Sequence, residues 1–249
     1  MVKYKLLNYS RRTVLPSKEA SMSRNEARYA LIDRRELVTV GAAIAALVPL
    51  SGSAFAASRH SHPAKRRART DKTFETAAVL RDLWIGHIFW VRAVSIATIE
   101  KRDDAARIAE QRAVTNARSI AATIEPFYGA AANDTFFKLL AGHYGAVKAY
   151  LVATVADDAA KQGTATQSLT SNAEEIASFL SKANPYFPKD VVNNLLLAHG
   201  GHHIQQIQEL KDRKYEAEAH TWEEMKNHIY QVADATADAL AKQFADRFS

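Results

Sequence analysis

The chain has 249 residues, no cysteine and a formal charge of +6; the lack of thiols excludes disulfides, thiolate catalysis, iron–sulfur ligation and cysteine zinc sites. The charge is uneven: residues 1–72 hold 15 of the 33 Lys and Arg but only 5 of the 27 Asp and Glu, leaving the remainder mildly acidic at 18 against 22. A body of that charge is a poor match to phosphate backbones, so nucleic acid is not an expected partner.

The first predicted element is an export segment. Arg34-Arg35-Glu36-Leu37-Val38 leads into an apolar run from Val40 to Leu50, and Ala54-Phe55-Ala56 supplies a small-residue cleavage site before Ala57. Adjacent arginines ahead of an Ala- and Gly-diluted run resemble a twin-arginine translocation signal. Leu37 to Leu50 falls well short of the roughly 20 apolar residues a spanning helix needs, so no stable membrane span is expected after cleavage. The expectation is a signal over residues 1–56, the twin-arginine export machinery as partner, and a periplasmic or secreted mature protein. The stretch before Arg34 is long for such a signal, and Met22 is an alternative start. Residues 57–72, with Pro63 and Lys65-Arg66-Arg67, lack periodicity and read as a flexible basic linker.

From residue 73 to 249 apolar residues recur at helical spacing and no stretch alternates like a strand. Leu80, Trp84, His87, Val91 and Val94 mark one face of a helix over 73–101. A second runs from Asp103 to Ile124, with Pro126 and Phe127-Tyr128-Gly129 as the turn. The third starts near Asp134 as N-cap, carries Phe136, Leu140, His143, Val147 and Leu151, and is broken by Gly163. A fourth covers 166–183 and stops at Asn184-Pro185. Pro188 opens a fifth that reaches Lys211, where Gly200-Gly201 implies a kink or close packing. Thr221-Trp222-Glu223-Glu224 reads as the capping box of the last helix, which ends near Phe244. No internal repeat is evident. The fold class is all-α: a single up-and-down bundle of five or six helices.

Polar residues on apolar helix faces are the candidates for chemistry. His87, His143 and His199 sit on three helices that should run the same way, about 21, 14 and 17 Å from their starts at ~1.5 Å per residue. Glu175 and His228, on oppositely running helices, could join them. One reading is a metal site with His87, His143, Glu175, His199 and His228 as ligands for Fe, Cu, Zn or Mn. The other is a hydrogen-bonded core layer in which Asn172, Glu175 or a tyrosine satisfies each imidazole. His199 and His203 are four apart on one face, a spacing that lets two imidazoles share an ion. The order of histidines invites comparison with hemerythrin-like carriers, but Val147 and Ala233 stand where that pattern has Glu and Asp. Arg92 could pair with Glu175 or hold an anion, and His202 and His220 read as solvent-facing.

Several stretches taken together resemble a family of uncharacterised bacterial helical-bundle proteins. They are Leu83-Trp84 with His87, Trp90 and Arg92; Gln111-Arg112 with Asn116; Pro126-Phe127-Tyr128-Gly129; and Asn172-Ala173-Glu174-Glu175-Ile176-Ala177. Asn184-Pro185-Tyr186, His143, His199, and His228 with Ala233-Asp234 complete the set, while His202 and His203 lie outside it. The resemblance implies a helical bundle in which His87, His143, Asn172, Glu175, His199 and His228 are the polar positions to follow. It implies no settled activity. An exported binding protein, a periplasmic metalloenzyme and a structural envelope protein all remain open.

Overall fold

The computed structural model describes residues 71–249; the export segment, its cleavage site and nearly all of the linker lie outside the described residues. The described chain is helical, with no strand: α1 (Asp71–Ile99), α2 (Asp103–Ala122), the single turn α3 (Glu125–Tyr128), α4 (Ala130–Val155), α5 (Ala159–Ala183), α6 (Lys189–Lys211) and α7 (Tyr215–Gln243). A short 3-10 turn, Ala245–Arg247, ends it. The six long helices form the all-α bundle expected from the sequence.

Three boundaries differ from expectation. Gly163 lies inside α5, and the break falls earlier, where Asp157 takes a left-handed φ of 54° and Asp158 caps α5 by accepting the Lys161 N–H at 3.0 Å. Two adjacent aspartates suit this turn, one tolerating the left-handed conformation and the other capping. Helix α4 begins at Ala130, directly after Gly129 at φ 84°, so Asp134 is inside the helix rather than its cap. Thr221 is fully buried within α7, where its hydroxyl accepts from Gln205 Nε2 at 3.0 Å. The stop before α7 is the turn at Arg213 instead.

Consecutive long helices pack side by side and α7 returns to α1, closing a ring in the order α1, α2, α4, α5, α6, α7. Short connections make neighbours antiparallel, so alternate helices run the same way. Helices α1, α4 and α6 also touch one another across the middle. The bundle is thus an inner triangle of three parallel helices, with α2, α5 and α7 lying against the grooves between them. Leu80, Trp84, Ile88, Val91 and Val94 are the buried face of α1, which accounts for that helix's high apolar content.

The ring is built from three copies of one helical hairpin. The left-handed turns fall at Lys101, Asp157 and Arg213, with φ of 57°, 54° and 59°, each 56 residues after the last. At each, the next residue's N–H reaches back to the same place: Arg102 to Ala97 O, Asp158 to Ala153 O and Lys214 to Glu209 O, at 2.8–2.9 Å. These are Schellman closures made without glycine. The same period relates three side-chain clamps. Asn116 Nδ2 donates to Leu83 O at 2.9 Å, Asn172 Nδ2 to Leu139 O at 3.0 Å and His228 Nε2 to Leu195 O at 2.8 Å. Each accepting leucine is four residues before His87, His143 or His199. The internal repeat that the sequence does not display is therefore present in the fold.

The residue before each of these histidines makes room for the clamp. A Cβ on Gly86 would stand 2.9 Å from Asn116 Nδ2, and one on Gly142 3.1 Å from Asn172 Nδ2. Glycine, costly in a helix by about 1 kcal/mol, is used where the amide must close on backbone. In the third hairpin Ala198 takes the glycine's place and the longer imidazole of His228 reaches the carbonyl. The pair His228→Asn with Ala198→Gly copies the other two hairpins. Its urea-unfolding stability should fall by only about 1 kcal/mol, the helix cost of the added glycine, since one clamp hydrogen bond replaces another of similar worth. A loss of about 3 kcal/mol or more would show that the three clamps are not equivalent.

Candidate metal centre

The inner triangle carries the site. His87 comes from α1, His143 from α4, and His199 with His203 from successive turns of α6. One ring nitrogen from each lies within 4.8 Å of those of the other three. Ring centroids are 5.4 Å apart for His87–His199, 5.5 Å for His143–His199, 6.2 Å for His87–His143 and 4.5 Å for His199–His203. None of the four residues is more than 5% exposed. Trp84 packs nearly perpendicular to the rings of His87 and His199.

Three of these histidines follow from the repeat and the fourth breaks it. Positions 87, 143 and 199 are equivalent, so three parallel helices deliver three imidazoles to one level. One turn later the equivalent positions are Val91, Val147 and His203. All three are buried. His203 is thus an imidazole where the other hairpins place valine, and it turns a three-histidine layer into a four-histidine cage.

The hydrogen bonding of the cage is incomplete. His203 Nε2 and His199 Nε2 are 3.1 Å apart and share one proton-bearing contact. His87 Nε2, His199 Nδ1 and His203 Nδ1 are buried without a partner in the protein, and neither His143 nitrogen makes a hydrogen bond of good geometry, although the Asn172 amide stands beside that ring. Leaving a buried polar group unpaired costs about 1–3 kcal/mol each, so five such nitrogens in one place demand a reason. A four-coordinate ion with bonds of ~2.0–2.1 Å holds its ligand atoms about 3.3 Å apart. The His199–His203 separation is already close to that. A buried four-histidine cluster that could bind a metal ion is the central chemical feature of this protein.

The remaining sequence candidates lie elsewhere. Glu175 is exposed on α5, outside the cluster. His228 is near His199, with centroids 6.5 Å apart, but its Nε2 is engaged by Leu195 O as a clamp. Asn172 is buried as the clamp of the second hairpin. His202 is half-buried beside His228, at 5.3 Å between centroids, and His220 is exposed near Glu224. Arg92 does not meet Glu175: it makes a two-pronged pair with Glu218 at 2.6 and 2.7 Å, and Gln206 Nε2 donates to the same carboxylate at 2.8 Å. Glu218 is the buried carboxylate among the described residues. His203, left outside the family-like positions, was signalled by its four-residue spacing from His199 on the same apolar face of α6.

No family model, curated protein or solved structure matches this chain.

Burial governs how these imidazoles titrate. It pushes His87 down to about 3, with repulsion from His143 adding to the effect. It brings His143 to about 4, opposed by the Asn172 amide. His199 and His203 fall well below the ordinary value, again mainly through burial, with the neighbouring imidazoles next. All four are therefore neutral at neutral pH, the form that ligates metals. The unfolded chain, with histidines near 6.5, binds more protons than the folded one below that pH. The metal-free protein should lose stability as pH falls from about 6.5 toward 4, each imidazole contributing up to about 1.4 kcal/mol per pH unit. Urea midpoints between pH 7.5 and 4.5 measure this, and a flat profile would contradict the burial of the cage.

Proposed function

We propose that this is an exported helical-bundle binding protein that holds one transition-metal ion through His87, His143, His199 and His203. The observation that carries the reading is the convergence of four buried imidazoles with five nitrogens left without a well-formed hydrogen bond. Other buried polar atoms are unpartnered too, the clamp oxygens Asn116 Oδ1 and Asn172 Oδ1 among them, but they stand singly, whereas the cage gathers five nitrogens on four rings within reach of one ion. Holding, rather than catalysis, suits a cage whose four residues are buried on every side, since an open position for substrate distinguishes catalytic metal sites. Iron, copper, zinc and manganese, the ions expected from the sequence, are all compatible with nitrogen ligation to different degrees.

Export is supported by the sequence alone: Arg34-Arg35, the apolar run to Leu50 and Ala54-Phe55-Ala56. Twin-arginine translocation carries folded proteins, so an enclosed cage can be filled before the chain leaves the cytoplasm. The mature protein would start at Ala57 and reside in the periplasm or outside the cell. The stretches that resemble uncharacterised bacterial bundle proteins include the three repeat-related histidines and leave out His203.

Elemental analysis of protein recovered from its native export route tests the reading. About one metal ion per chain is expected, lost when His87 and His143 are both changed to Ala and retained in the His228→Asn, Ala198→Gly variant. The absence of stoichiometric metal from the parent protein, with the double alanine variant merely less stable, would leave the histidines as core structure.

A further inference from the structure

Building on that metal-holding reading, we infer that the ion the cage selects is monovalent Cu(I) rather than a divalent metal. The charge of the donor set is the first constraint on the ion. All four ligands are neutral imidazoles, and the chain has no cysteine that could add a thiolate. The carboxylate of Glu218, the acidic group buried among the described residues, is already bonded to Arg92 and Gln206. Its charge is balanced by a guanidinium and is not free to offset an ion. Whatever charge enters the cage is therefore carried without an anion beside it.

The cost of an uncompensated ion in an apolar interior rises with the square of its charge. A divalent ion in the same place costs about four times as much as a monovalent one, before any ligand field is considered. Divalent zinc, iron and manganese sites in proteins commonly lower this cost by including a carboxylate, a thiolate or a bound water that ionises. Here Trp84, Ile88, Val91 and Val147 are among the buried side chains at the levels of the cage, and they offer no such group. Calcium and magnesium are excluded by donor type, since they take oxygen ligands.

Coordination geometry is compatible with this but does not decide it. His199 Nε2 and His203 Nε2 are 3.1 Å apart, and one nitrogen from each of the four rings lies within 4.8 Å of the others. A d10 ion, Cu(I) and Zn(II) alike, has no geometric preference imposed by its d electrons and accepts such a cage, so charge is what separates the two. Imidazole is a common copper ligand, and Cu(I) is the monovalent state of the metals it serves. Val91 and Val147 show that the fold accepts an apolar residue at the position of His203. An imidazole there brings the second close nitrogen to His199.

The experiment is an oxygen-free competition titration of the full, metal-free protein. Cu(I) is supplied from a chromogenic chelator complex, and Cu(II), Zn(II), Fe(II) and Mn(II) are titrated separately against matched chelators. The expected result is one Cu(I) per chain, held at least 100-fold more tightly than any of the divalent ions. His203→Val should fold, as judged by helical circular dichroism and a cooperative melt, and should hold Cu(I) at least tenfold more weakly. A divalent ion held more tightly than Cu(I) overturns the monovalent assignment while leaving the metal-holding reading intact. Binding of no ion at all overturns both. Undiminished Cu(I) affinity in folded His203→Val removes the fourth imidazole from the site and overturns the four-ligand argument. Should that variant not fold, the comparison among ions on the parent protein decides the matter.

Discussion

The closure of three antiparallel hairpins into a ring is the constraint on which everything else in this protein depends. Once consecutive helices alternate in direction, every second one runs the same way, and a ring of six puts three parallel helices where they can meet. A residue repeated at the same level of those three helices then arrives on the common axis three times. Had the hairpins packed in a row, His87, His143 and His199 would have lain on separate faces. The site is thus a product of topology before it is a product of any local motif.

Each hairpin is held in register at the level of its histidine. The carbonyl four residues before a helical histidine already accepts that histidine's own N–H, and it accepts a second bond from the outer helix. The clamp therefore ties the outer helix to the turn that carries the imidazole. Sliding either helix by one residue would break the clamp and carry the histidine off the axis. Gly86 and Gly142 allow the short asparagine amide to make this bond, and the longer imidazole of His228 makes it over Ala198. One physical requirement thus explains a glycine on the inner helix and an asparagine on the outer one, 30 residues away.

Much of the fold was legible in the sequence because helical periodicity and turn chemistry are local. The number of helices, the stops at Pro126 and Asn184-Pro185, and the parallel sense of the three histidine-bearing helices all follow from short windows. Gly163 and Thr221 misled because a glycine or a capping pattern is permitted inside a helix that tertiary packing stabilises. The repeat was hidden for a different reason. Its identity survives at only a few positions, and its core positions exchange sizes freely: Trp84, Leu140 and Leu196 are equivalent, as are Leu80, Phe136 and Val192. Three helices around one axis need the total volume of a layer, not the same residue three times. The clamp itself changes from Asn to His, so a histidine that performs a backbone bond looks like another ligand until the structure shows its partner.

The one departure from the repeat carries the most chemical meaning. At the level after the histidines two hairpins keep valine, which is what an apolar axis asks for, and the third places His203 there. An imidazole in that position adds two polar nitrogens to a place where valine needs none, and one of them is left unpaired. Stability alone would favour a third valine. That the less comfortable residue stands within 3.1 Å of His199, closing the cage on the side the repeat leaves open, is the kind of local conflict that marks a functional site. The three equivalent histidines follow from the hairpin repeat; the fourth departs from it, and a ligand for the cage is what would give that departure a use.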